Sequence, residues 1–177
     1  TNIVIRDCRF WLAPLEEDTN GFLAGQVPGE NAVDTKTMTD GTRAVLTIED
    51  SSFWGFRDGI DFSNQAALLF KENVDVTVRR TRIFDSEIGL RVRGPTDARP
   101  LGAQVRVESS LLYNLEAGIR YEDDVEQLDL YHLTFGEGID THLVSASAEA
   151  AMLDIRNSLF FGSDLPIEAT AHTSNAT

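Results

Sequence analysis

Four charged side chains recur at one place in a repeated motif. They are Asp34, Asp61, Arg91 and Arg120, in Ala32-Val33-Asp34-Thr35, Gly59-Ile60-Asp61-Phe62, Gly89-Leu90-Arg91-Val92 and Gly118-Ile119-Arg120-Tyr121. Two residues further on come Lys36, Ser63, Arg93 and Glu122. If each motif is a strand, alternation points all eight away from their apolar neighbours. Stacked strands would set them about 5 Å apart. Asp34 and Asp61 could then share a calcium ion, whose oxygen ligands lie at about 2.4 Å. Lys36 and Arg91 border the same spot. The same two carboxylates also fit the roughly 5–9 Å spacing of glycoside hydrolysis, and Asp58 could join either arrangement.

The elements that must position these residues are repeats. The pattern apolar–x–apolar–x–x–small–x–apolar occurs as Ile3-Ile5-Cys8-Phe10, Leu46-Ile48-Ser51-Phe53, Val76-Val78-Thr81-Ile83 and Val105-Val107-Ser110-Leu112. It returns as Leu128-Leu130-Leu133-Phe135 and Leu153-Ile155-Ser158-Phe160. Strict alternation is the strand signature. A polar pair breaks its phase in every copy: Arg6-Asp7, Glu49-Asp50, Arg79-Arg80, Glu108-Ser109, Tyr131-His132 and Arg156-Asn157. Such a break reads as a tight corner. The Gly-Ile-x-Phe motif follows as a third strand, with Leu143-Val144 and Ile167 as its later equivalents. No helix-length period intervenes.

The expected fold is all-β: a right-handed parallel β-helix of about six coils, each with three short strands. Interior ladders are predicted as Ile5-Ile48-Val78-Val107-Leu130-Ile155 and Phe10-Phe53-Ile83-Leu112-Phe135-Phe160. Cys8 would lie in the small ladder as a buried free thiol. Residues 1–169 are expected to form this one domain, and 170–177 a polar tail. The abrupt start at Thr1 predicts a piece of a longer chain with further domains.

Composition excludes other classes. The 177 residues carry a formal net charge of -14, with 15 Lys+Arg against 29 Asp+Glu. That opposes binding to nucleic acid or to anionic membrane. There is no apolar run of about 18 residues to insert into a membrane. The single cysteine excludes an internal disulfide. His132, His142 and His172 share no metal-ligand spacing and read as solvent or turn residues. The acidic run Tyr121–Glu126 reads as a solvated loop. Trp11, Phe22, Trp54 and Tyr113 are candidate platforms for sugar rings, with Trp54 expected outside the core.

The three-strand repeat, the short corner and the Gly-Ile-x-Phe strand together resemble the right-handed parallel β-helix proteins of the pectate-lyase-like superfamily. That resemblance implies a polysaccharide cleft over the Gly-Ile-x-Phe strands. Segments 12–30, 36–44, 63–73 and 93–103 would wall it. It further implies a secreted or cell-surface protein, with a calcium-assisted lyase reaction on uronic-acid glycans as the expected activity. Such a reaction needs a cation on the carboxylate, a base for the adjacent proton and a stabiliser for the enolate-like charge. Asp34 and Asp61 would hold calcium, Lys36 or an arginine would be the base and Arg91 the stabiliser. Arg93, Arg120 and Trp54 would bind substrate. The alternative is a non-catalytic carbohydrate-binding, adhesion or spacer module on the same scaffold.

Overall fold

The computed structural model describes residues 2–36, 42–57, 65–71, 73–95, 97, 101–146, 153–162 and 167–168. Among these there is no helix, and all named strand pairings are parallel. Six strands make the first sheet, in order: Asn2–Arg6, Ala44–Glu49, Val74–Arg79, Gln104–Glu108, Gln127–Tyr131 and Leu153–Arg156. Each repeat thus adds one strand beside the preceding one.

A ten-stranded second sheet takes the rest. One row holds Arg9–Trp11, Ser52–Trp54, the start of Arg82–Arg93, the start of Leu111–Glu122, Thr134–Phe135 and Leu159–Phe160. A second row holds Val33–Asp34, Ala66–Phe70, the ends of the two long strands, Ile139–Ser145 and Ile167–Glu168. Three separate strands per repeat were expected. In the third and fourth repeats two of them are instead one 12-residue strand. Their bend is a single left-handed residue, Asp85 or Asn114 (φ 48° and 51°), too short an interruption to end the pairing.

The predicted ladders hold in register. Ile5 pairs with Ile48, then Val78, Val107, Leu130 and Ile155. Phe10 pairs with Phe53, then Ile83, Leu112, Phe135 and Phe160. Their middle members are buried, while the end members are partly open, having among the described residues a neighbouring repeat on one side only. Cys8 sits in that first repeat and is only half-buried, not buried as expected.

The corner is built the same way six times. Asp7, Asp50, Arg80, Ser109, His132 and Asn157 all have φ between 50° and 55°. The small residue that follows then meets a backbone amide one repeat away. Ser110 Oγ accepts from Thr81 N at 3.1 Å and donates to Glu108 O at 2.9 Å. Ser51 does the same for Cys8 N and Glu49 O, and Ser158 for Leu133 N and Arg156 O. A hydroxyl there satisfies buried groups that the turn takes out of the sheet ladder.

Carboxylates and guanidiniums tie neighbouring corners together. Glu49, buried, is bound by Arg6, by Arg79 at 2.5 Å and by Arg80 at 3.1 Å. Hydrogen bonds from Arg79 and then Arg6 pull its carboxyl below the ordinary 4.5, and Arg80 pulls Asp50 below 3.8. A carboxylate with a depressed folded pKa stabilises the fold above its unfolded pKa. The contribution disappears as pH falls through the folded value. The thermal midpoint, followed by circular dichroism, is therefore expected to start dropping as pH falls below the ordinary carboxylate values of 4.5 and 3.8 and to go on dropping through the folded values. Glu49→Gln should lower the neutral-pH midpoint and make the acid decline shallower.

The glycine of the third-strand motif has a packing reason. A Cβ on Gly118 would come within 2.6 Å of His142 O and 3.0 Å of the Phe135 ring. One on Gly89 would come within 2.6 Å of Gly118 O. Gly118→Ala is expected to cost about 1–3 kcal/mol in urea unfolding, because backbone must move to admit the methyl group.

Candidate functional site

The outer face of the second row carries two columns of side chains. The first is Asp34, Leu69, Arg91, Arg120 and Val144, one per repeat in register. The second column holds Lys36, Lys71, Arg93 and Glu122. The expected grouping of Asp34, Arg91 and Arg120 is therefore present, but the position between Asp34 and Arg91 belongs to Leu69. Asp61 was expected there; it lies outside the described residues, as do Asp58 and the Gly59–Phe62 motif. The strand of that repeat is Ala66–Phe70, inside a segment expected to be a flanking loop. It is buried at all five positions, so its sequence has no polar alternation to announce it.

The charges on this face meet in two clusters. Asp34 is bound by Lys36 and by Lys71, whose Nζ lies 3.1 Å from Asp34 Oδ1. The hydrogen bond to Asp34 raises the Lys36 pKa above the ordinary lysine value. Further along, Glu122 collects three arginines. Arg91 Nε donates to Glu122 Oε1 at 2.6 Å, Arg93 Nε lies 3.2 Å from the same oxygen, and Arg120 Nη2 lies 3.6 Å from Oε2. Arg93 also reaches Asp123 at 2.7 Å. Glu122 is 8% exposed, so this part of the acidic run is a buried hub and not a solvated loop. Three cations offset its desolvation.

Exposure separates the roles. The side chains of Lys36, Arg93 and Arg120 are 72%, 32% and 30% exposed, whereas Arg91 is 11% exposed beneath them. Arg91 is thus engaged chiefly with Glu122. Lys71, absent from the sequence-level site, is a central member of it. Its signal was available: it is one of only two lysines in the chain, the other being Lys36.

Trp54 faces outward as expected, but as one rung of a stack. Trp11 and Trp54 are stacked with centroids 5.4 Å apart, Trp54 and Phe84 at 5.5 Å, and Phe84 and Tyr113 at 4.8 Å. Both faces of the Trp54 ring are covered by neighbouring rings. It offers solvent an edge, so it is not a sugar platform. It also lies on the other row of the sheet from the arginines. His142, expected in solvent or a turn, is buried edge-on to Phe135 and Phe160, and its Nε2 lies 3.0 Å from Phe161 O.

No group of three or more His, Cys, Asp or Glu side chains suited to a metal occurs among the described residues. No helix of the described residues is long and apolar enough to cross a membrane. Comparison of the chain with protein-family models, with curated proteins and with solved structures found no match.

Proposed function

We propose that the chain is a right-handed parallel β-helix of about six coils, similar in plan to the pectate-lyase-like superfamily, that binds acidic polysaccharide without cleaving it. The observation that carries this reading is the charge of one face. Lys36, Lys71, Arg91, Arg93 and Arg120 stand there with Asp34, Glu122 and, at the edge, Asp123, five positive groups against three negative. The whole chain is at -14. A local basic strip on an acidic protein attracts an anionic polymer to that place and repels it elsewhere. Exposed Lys36 and the partly exposed Arg93 and Arg120 would make the contacts, with Glu122 competing for the two arginines. Such a role suits a secreted or cell-surface protein, which is where the resemblance also puts it.

Two features favour binding over the lyase reaction. A base must be neutral to accept a proton, and Asp34 keeps Lys36 charged. A calcium site on Asp34 would have to displace two ammonium groups already on that carboxylate. The test is retention of the protein by polygalacturonate and alginate in affinity electrophoresis at rising salt. Ultraviolet absorbance of unsaturated products would be followed in parallel, with and without calcium. Salt-sensitive retention that Arg93→Ser/Arg120→Ser abolishes, with no absorbance gain, supports the reading. Absence of retention at low salt overturns it. Product formation lost in Lys36→Ala would restore the lyase.

A further inference from the structure

The outward aromatic stack breaks at one rung. Gly136 continues the column of Trp11, Trp54, Phe84 and Tyr113, since its amide donates to Leu112 O at 2.7 Å. The Phe161 amide donates in turn to Phe135 O at 2.8 Å, which puts Phe161 in the same column one repeat on. The neighbouring column does likewise: Leu111 pairs with Thr134, and Thr134 with Leu159. So one repeat presents Thr134 and Gly136, while those on either side present Leu111 with Tyr113 and Leu159 with Phe161. Leu159 and Phe161 are 59% and 49% exposed. The result is a trench one repeat wide, floored by small residues between two apolar walls.

We infer that this trench is a binding site for a pyranose ring of a neutral oligosaccharide. Its walls are two strand spacings apart, about 10 Å. That leaves the thickness of one ring at the spacing the stack itself uses. Phenyl and phenol faces suit an object with two apolar faces. The rim demands polar groups as well. At one end, Leu111 and Thr134 also border an open depression of about 380 Å³ lined by Arg82, Ser109 and His132. At the other stands the exposed carboxylate of Glu137. A pyranose has C–H faces for the walls and hydroxyl edges for this rim. An aromatic hydrocarbon would leave the rim unpaired. Glu137 disfavours a uronate at the trench, and the inference does not rest on the basic strip.

Gly136 makes the test direct. Its φ lies outside the left-handed region, and an added Cβ would meet Tyr113 Cβ at 3.1 Å, a contact that a few tenths of an ångström would relieve. Gly136→Phe would therefore fill the trench with the missing ring. Saturation-transfer NMR on the chain with neutral cello-, xylo-, laminari- and manno-oligosaccharides should show transfer to ring C–H protons for at least one series. Raising salt should not remove it, in contrast to binding at the strip. Gly136→Phe and Phe161→Ala should each weaken it about tenfold or more, and Gly136→Phe should melt no lower than the parent. Phe161→Ala, an exposed truncation, keeps the test valid if the filled variant misfolds. Absence of transfer from every series overturns the inference. So does transfer that survives Phe161→Ala, or a trench occupied by a second copy, seen as self-association that Trp11→Ala abolishes.

Discussion

Glu122→Gln is expected to weaken the fold and at the same time tighten its grip on an acidic oligosaccharide. The buried carboxylate is shared by Arg91, Arg93 and Arg120. Removing its charge leaves Arg91 buried without its anion, while Arg93 and Arg120 can turn toward solvent or Asp123. Loss of one partner from a buried ion cluster costs about 3 kcal/mol. The loss should appear as a lower urea midpoint. If the basic strip binds uronates, the freed guanidiniums become a better anion site, and affinity should rise roughly tenfold, or about 1.4 kcal/mol. Saturating ligand should then recover part of the lost stability. A variant that is destabilised but binds no better would show that the three arginines serve the fold alone. Arg91→Ala provides the second half of a double-mutant cycle, which isolates the coupling between the two groups.

Phe53→Ala should be among the most damaging single changes to the core, at about 3–5 kcal/mol. The ring is fully buried and stacks on Phe10 at 5.0 Å, with Ile83 on its other side. Strand pairing in stacked repeats joins each repeat to its neighbours, so the loss will be uneven along the chain. Among the described residues, the strands of the first repeat pair only with those of the second. Hydrogen exchange should therefore show amides in Asn2–Trp11 losing protection well before those in Gln104–Glu108. Phe53→Leu, which keeps most of the buried volume, should recover more than half of the loss. Equal loss in both segments would mean that the chain unfolds as one cooperative unit.

The parallel ladders were legible because they depend on spacing alone. A two-residue period and a fixed corner put Ile48 over Ile5 and Phe53 over Phe10 whatever the rest of the chain does. The corner pair was equally visible, since a polar break at a fixed offset needs a residue tolerant of positive φ. Glycine at 89 and 118 could be found by recurrence, although its reason, a backbone carbonyl 2.6 Å from the missing Cβ, belongs to the packed structure.

The second repeat shows where spacing fails. Two candidate strands competed there. Gly59–Phe62 has the motif, but Ala66–Phe70 is the strand that lies between Val33–Asp34 and Leu90–Val92. Burial on both faces erases the alternation that identifies a strand, and a five-residue apolar run then looks like loop packing. The shift replaces Asp61 by Leu69 in the outward column and brings Lys71 to Asp34.

By itself, then, the sequence determined the repeat, the parallel stacking, the interior ladders and which side chains of most repeats face outward. Those are properties of one strand and its period. Only the tertiary structure decided which charges meet across repeats and which aromatic faces stay open. Glu122 became a buried hub because Arg91 and Arg93 of the adjacent strand converge on it together with Arg120 of its own strand. Trp54 ceased to be a platform because rings one repeat away cover both its faces. Both outcomes depend on neighbours about 30 residues distant in sequence, which no local pattern encodes.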